Sequence, residues 1–168
     1  PKADTYALKR ADPADRLRDY ADALEFYLRT VGRGDFGALV YVDNSGYPLD
    51  TLIALARRAG LADRCEFISY AAETPPHYSR YYLELNLLIE AMQRSATLQE
   101  AGEAAIWKVT GRYIVENIAS IVAAAPAAFD LCLNLRNRPE RVADFFLVGF
   151  RRDSFWKTIG KDLEDYRT

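Results

Sequence analysis

Lys108-Val-Thr-Gly-Arg-Tyr113 is the segment whose residue types best suit a negatively charged ligand. An apolar, strand-like run precedes it and an apolar helical pattern follows it. Lys108 and Arg112 offer two cations, Thr110 offers a hydroxyl, and the start of a helix offers free backbone N–H groups. Because the Gly-x-x-x-x-Gly-Lys spacing of a Walker loop is missing, we expect a phosphate or diphosphate bound in another kind of loop. The alternative is a strand end closed by Gly111 whose two cations are merely solvated.

Two other polar segments follow predicted strands, at the carboxyl ends where open α/β sheets bind ligands. Asp43-Asn44-Ser45-Gly46 can present a carboxylate and an amide to the hydroxyls of a sugar or a ribose. Arg136-Asn137-Arg138-Pro139 can add positive charge to the same edge. The alternatives are a plain turn for the first segment and a solvated surface for the second.

His77 and Glu84 are candidates for acid–base chemistry. His77 lies beside two prolines, and the charge of a histidine changes near neutral pH. Glu84 lies on a predicted long helix, from which its carboxylate can face a cleft as a base or accept a hydroxyl. A structural or solvated position is the alternative for both residues. No Asp-x-Asp pair follows a predicted strand, so we expect no metal ion at the strand ends.

Helical and strand periodicities alternate along the chain. Helices are predicted over residues 12–32, 48–59, 78–94 and 113–125, with a final helix that Asp153 can cap, and strands over 36–42, 66–70, 104–109, 129–135 and 143–150. Helices between short apolar strands predict an α/β fold with a mainly parallel sheet. Since no repeat, linker or low-complexity segment interrupts this pattern, residues 1–168 are predicted to form a single domain.

The overall composition narrows the class of protein further. The chain has 168 residues, 50% of them hydrophobic, and a formal net charge of −2. A nucleic-acid binder needs a concentrated basic face, which this balance does not favour. No stretch approaches the roughly 20 apolar residues of a membrane span, and the first residues lack the pattern of a signal peptide, so we expect neither feature. Cys65 and Cys132 lie in separate apolar stretches, which predicts buried reduced thiols and a cytoplasmic location.

Ile106-Trp-Lys-Val-Thr-Gly-Arg-Tyr113 resembles the Lys-x-Thr-Gly-Arg-Tyr segment of small bacterial glycosyltransferases with a GT-A-like fold, which act in surface polysaccharide biosynthesis. Residues 10–20, 42–46 and 134–139 also look similar to that group, in the same order. The resemblance implies a three-layer, Rossmann-like domain. It also implies a nucleotide-sugar donor at the carboxyl edge of the sheet and transfer of the sugar to a glycan or lipid-linked hydroxyl. Lipid-linked acceptors would bring the chain to the inner membrane surface as a peripheral protein.

The resemblance also implies roles for the candidate residues. It puts Asn44 and Ser45 near the donor sugar or nucleotide, and the donor diphosphate near Lys108, Thr110, Gly111 and Arg112, with Arg136 and Arg138 on the same rim. The acceptor hydroxyl needs a base, for which Asp43, Glu84, His77 and Asp144 are the candidates. With no Asp-x-Asp pair, we expect transfer without a divalent metal or other cofactor, the cations offsetting the charge of the leaving diphosphate.

The chain departs from the group in two places. A GT-A fold normally begins with a strand, and residues 1–10 are a poor strand, so we expect the first strand to be missing or disordered. Relatives often carry a glycine-rich approach to the helical glutamate, whereas Arg80-Tyr-Tyr-Leu-Glu84 contains no glycine. The main alternative is a non-catalytic α/β module that binds a nucleotide or polysaccharide as a subunit of a larger synthase. A phosphate-binding hydrolase is less favoured, because no nucleophile or carboxylate cluster is found.

Overall fold

The computed structural model describes residues 12–71, 80–136 and 142–160. In chain order the elements are α1 (Pro13–Arg33), β1 (Leu39–Asp43), α2 (Asp50–Arg58), a 3₁₀ turn (Ala62–Arg64), β2 (Cys65–Ser69), α3 (Arg80–Arg94), α4 (Ala96–Gln99), β3 (Ala105–Val109), α5 (Ile118–Ala124), β4 (Leu131–Arg136), β5 (Val142–Arg151) and α6 (Arg152–Lys157). Each predicted helix and strand has a counterpart among these elements. Two boundaries need correction: α5 begins at Ile118 rather than near Tyr113, and Arg151, not Asp153, is the N-cap of α6.

Helix α1 begins and ends where its sequence signals predict. The Asp12 carboxylate accepts a hydrogen bond from the Ala14 N–H at 2.8 Å, and Pro13 fits the first helical turn because its missing N–H would have no partner there. Gly34 closes the helix with φ 85°, in the left-handed region that glycine adopts without strain. The buried face of the helix includes Leu24 and Leu28, which pack against α2 and β1.

The α/β class is confirmed, but the described strands are not mainly parallel. β1 and β2 form a parallel pair, whereas β5 lies between β3 and β4 and is antiparallel to both. The reason is the short connection of residues 137–141 between β4 and β5. A parallel pair needs a crossover of about a dozen residues or more, so this connection allows only an antiparallel return.

Helix α3 contacts both sheets, and α1 contacts β1 and the segment that follows β3. On α1, Tyr20 packs edge-on against Tyr41 of β1, with ring centres 6.3 Å apart, and also lies against Gly111, just after β3. Helix α3 contacts β1 and contributes to the main apolar core. The buried members of that core are Leu85, Leu88, Ile89, Met92, Val148, Phe150 and Phe155. These shared helices hold the ends of β1 and β3 in one assembly, although no described strand joins the two sheets.

Candidate functional site

Lys108 lies on the face of β3 that packs toward α3. It pairs with Val148 of β5, two residues along from the Ile106–Phe150 pair, so alternation along the strand puts Ile106 and Lys108 on one face. Ile106 packs into the core formed with α3, and Lys108 follows it toward the carboxyl end of the strand. The Lys108 side chain therefore points toward α3 and is only 8% exposed.

Three acceptors surround the buried ammonium. Lys108 Nζ donates to Glu84 Oε1, to the backbone oxygen of Phe145, and to Thr110 Oγ1 at 3.1 Å. Thr110 Oγ1 in turn donates to the same Glu84 oxygen at 2.6 Å. The ammonium also lies 4.4 Å from the centre of the Phe145 ring. We refer to Glu84, Lys108 and Thr110 as the Lys–Glu–Thr cluster.

Burial and ion pairing shift the pKa of Lys108 in opposite directions. Burial lowers the pKa of Lys108, because the charged form loses its hydration, and the Glu84 carboxylate partly restores it. Such a buried charge is tolerated only when it is paired and fully hydrogen-bonded. The three acceptors meet that requirement, so the buried charge of Lys108 is paired and hydrogen-bonded by groups of the protein itself.

Glu84 is the member of the cluster that reaches solvent. It lies one helical turn before Leu88 on α3, at the end of the stripe that faces the core. Its side chain is 30% exposed, against 8% for Lys108. The hydrogen bonds from Lys108 and Thr110 both end on Oε1. The arrangement therefore presents an oriented carboxylate at the carboxyl end of β3.

A register shift in the antiparallel sheet supplies the backbone acceptor. Leu133 pairs with Val148 and Asn134 pairs with Asp144, so residues 145–147 of β5 have no partner in the β4 register. Within that stretch, the Phe146 oxygen accepts a hydrogen bond from the Thr110 N–H at 2.9 Å. The neighbouring Phe145 oxygen takes the Lys108 ammonium. Bulges of this kind redirect backbone groups, and here one aims a carbonyl at the cluster.

The chain after Thr110 is fixed by two tyrosines of α1. A Cβ atom at Gly111 would lie 3.3 Å from the Tyr20 ring, so glycine allows the close approach. The Tyr27 hydroxyl donates to the Tyr113 oxygen at 2.8 Å and accepts from the Val115 N–H at 3.1 Å. Between these anchors Arg112 is exposed. An exposed guanidinium on a fixed loop, next to the cluster, can bind an anion.

Asp43, Asn44 and Ser45 form a hydrogen-bonded turn after β1. Asp43 Oδ1 accepts from the Ser45 N–H at 3.0 Å and from the Ser45 hydroxyl, and Ser45 Oγ accepts from the Tyr47 N–H at 3.2 Å. These bonds correspond to the plain-turn alternative of the sequence analysis. Asn44 is half-buried and Ser45 is exposed. Within the described chain, no hydrogen bond joins this turn to the Lys–Glu–Thr cluster.

The remaining predicted site residues are placed only in part. His77 and Arg138 lie outside the described residues. The backbone of Arg136 ends β4, but its side chain is also outside the description. Asp144 is on β5, where its Oδ2 accepts from Asn134 Nδ2 at 3.1 Å. Of the base candidates within the described residues, Glu84 is the one that the structure brings together with Lys108 and Thr110.

Other features of the described residues add nothing to this site. Cavities of about 360 Å³ and 220 Å³ lie between α1 and α2 and beside α6, and no predicted site residue lines either of them. Within residues 12–71, 80–136 and 142–160, no group of three His, Cys, Asp or Glu side chains is placed to hold a metal ion. No helix in the same part of the chain is long and apolar enough to cross a membrane.

Sequence reasoning missed the partners that hold the site together. The Phe145 oxygen cannot be identified from sequence, because its availability depends on the register shift. Tyr20 and Tyr27 left a weak signal, being seven residues apart on one face of a predicted helix.

Comparison of the chain with protein-family models, with curated proteins and with solved structures gave no match.

Proposed function

We propose that this protein is a glycosyltransferase that moves a sugar from a nucleotide-sugar donor to a hydroxyl of a glycan or lipid-linked acceptor. The observation that carries the proposal is the Glu84 carboxylate, held by Lys108 and Thr110 at the carboxyl end of β3. Arg112 follows two residues later and is exposed. A fixed base, with an exposed guanidinium two residues after Thr110, suits a reaction that needs a proton removed at one point and a diphosphate bound at another.

The transfer then uses Glu84 as the general base. As the acceptor oxygen bonds to the anomeric carbon of the sugar, its proton passes to the Glu84 carboxylate. The bond between the anomeric carbon and the diphosphate oxygen breaks, and its electron pair stays on the diphosphate. Arg112 stabilises the negative charge that develops there. The proposal keeps the expectation of metal-independent transfer, with Asn44 and Ser45 near the donor and Arg136 and Arg138 on the rim.

The finer fold also belongs to this proposal. A GT-A-like domain has one continuous sheet between two helical layers, and such a sheet needs one further strand between β1 and β3. Two observations support this arrangement. Among the described strands, β1 and β3 are both at the edges of their sheets, while α3 contacts both sheets and α1 contacts β1 and the segment after β3. The added strand would be the first strand of the GT-A-like pattern, which residues 1–10 match poorly.

The test combines donor binding with turnover. Calorimetry with UDP, GDP, CDP and CMP and their sugar conjugates should identify one donor class, and Arg112→Ala should weaken its binding about tenfold or more. Arg58→Ala, an exposed arginine on α2, is the matched control and should bind normally. Glu84→Gln should bind the donor but lose about 10²–10⁴ in kcat, because the base is gone.

The outcomes distinguish metal-independent transfer, metal-dependent transfer and the non-catalytic binding module. Turnover that EDTA abolishes and manganese restores would contradict metal-independent transfer. Donor binding without transfer to any acceptor tried would favour the alternative, a non-catalytic binding module. If well-folded wild-type protein binds none of these nucleotides or conjugates, the proposed function is wrong.

A further inference from the structure

The Lys108 ammonium is fully occupied by groups of its own chain. An ammonium has three hydrogens, and Glu84 Oε1, Thr110 Oγ1 and the Phe145 oxygen accept all three. With 8% of its side chain exposed, Lys108 offers little surface to a ligand. A diphosphate could bind this ammonium only by displacing one of those acceptors. The geometry therefore argues against the phosphate-binding role that the sequence suggested.

Stability alone also explains the cluster poorly. A buried ion pair recovers little more than the cost of desolvating its two charges, and an apolar pair of similar volume often serves as well. The cluster is also asymmetric, since the cation is buried while the carboxylate reaches solvent. Such an arrangement holds the carboxylate in one orientation and leaves it accessible.

We propose that Lys108 and Thr110 are positioning residues, which hold Oε1 of Glu84 so that its other oxygen, Oε2, receives the proton of the acceptor hydroxyl. The inference rests on the proposed function and divides the site into two parts. The Lys–Glu–Thr cluster serves the acceptor, and Arg112 serves the donor diphosphate. Loss of Lys108 or Thr110 therefore slows transfer without weakening donor binding.

The sharpest test uses a matched pair at Thr110. Thr110→Val keeps the shape of the side chain and removes the hydroxyl, whereas Thr110→Ser keeps the hydroxyl. With the donor found by calorimetry, Thr110→Val should lower kcat about tenfold to a hundredfold, because the base is misplaced. Its donor Kd should change by less than about threefold, and Thr110→Ser should keep kcat within the same factor. Equal loss of kcat in both variants, or none in Thr110→Val, would overturn the role of the hydroxyl.

Lys108→Met tests the cation in the same way. The expected result is a lower kcat with an unchanged donor Kd. A donor Kd that rises tenfold or more with an unchanged kcat would assign Lys108 to the diphosphate instead and overturn the proposal. If Lys108→Met does not fold, the comparison of Thr110→Val with Thr110→Ser still tests the proposal.

A measurement that needs no substrate separates this inference from the proposed function. Lys108→Met and Glu84→Gln are compared with the double variant by thermal unfolding. Each single change leaves the other group without its charged partner, so the double variant should lower Tm by clearly less than the sum of the two single shifts. Strictly additive shifts would overturn the positioning role. Coupled shifts in a protein that binds no nucleotide sugar would show that Lys108 holds Glu84, but would refute the proposed function and, with it, the transfer that Glu84 serves.

Discussion

At the scale of single residues, the chemistry of this chain depends on where a side chain points. Lys108 was predicted from its position after an apolar run, and the run placed it correctly at the end of β3. The phosphate-binding role predicted for it requires that a ligand can reach the ammonium. The face on which the side chain lies is set by pairing with Val148, which turns it toward α3 and Glu84. Residue type and spacing singled out Lys108, and the register between β3 and β5 determined that Glu84 is its partner.

The close contact between Gly149 and Trp107 gives a second residue-scale test. A Cβ atom at Gly149 would lie 2.9 Å from the Trp107 ring, closer than packed atoms allow. Gly149→Ala should therefore lower the free energy of unfolding by about 1–3 kcal/mol, which chemical denaturation measures. Gly37→Ala is the control, because nothing lies within 4 Å of its added carbon. Equal stability of the two variants would show that Trp107 moves aside without cost.

At the scale of elements, one carboxylate joins the parallel sheet to the end of α3. Glu66 on β2 accepts hydrogen bonds from the Ser95 hydroxyl at 2.6 Å and from the N–H groups of Ala96 and Thr97, each at 3.0 Å. These groups open α4, and Ser95 is fully buried. Burial acts to raise the pKa of Glu66, but the hydrogen bonds outweigh it and the net pKa is lowered. The hydrogen bonds from Ser95, Ala96 and Thr97 thus stabilise the charged form of the Glu66 carboxylate.

This connection predicts a pH-dependent loss of stability. Because the pKa of Glu66 is lower when folded than when unfolded, its contribution is present above the unfolded pKa, near 4.5, and is lost as the pH falls through the folded value. Glu66→Gln should thus cost about 1–2 kcal/mol at pH 7 and progressively less below about pH 4. Denaturation at several pH values measures this. Glu100→Gln, at an exposed position just after α4, should show neither effect. A cost that stays constant into acid would contradict the charged interaction.

At the scale of the whole molecule, the two sheets share α3, and α1 connects β1 with the segment after β3, but no strand within the described residues joins them. β5 has partners on both sides, and Val148 and Phe150 are fully buried. Among the described strands, β1 pairs only with β2, and it is half-buried along its length. The continuous sheet of the proposed function would give β1 a second neighbour.

Hydrogen exchange distinguishes the two arrangements. Amides paired within β5 should exchange slowest, because opening them disrupts both ladders and the core. If the sheet is continuous, the β1 amides that do not face β2 should be protected as well, since a neighbouring strand would pair with them. Rapid exchange of those amides, beside slow exchange of the ones facing β2, would contradict a continuous sheet. The amides on the outer edge of β4 serve as the fast-exchanging reference.

The sequence by itself determined the elements and the residues able to do chemistry. Helix caps such as Asp12 and Gly34, and apolar runs such as the one before Lys108, act through neighbours in the chain, so they can be identified without the fold. Only the tertiary structure decided the rest. The antiparallel place of β5, the register shift that frees the Phe145 oxygen, and the burial of Lys108 against Glu84 depend on contacts between distant segments. Local periodicity does not encode register between strands, so sequence could propose the site's residues but not their partners.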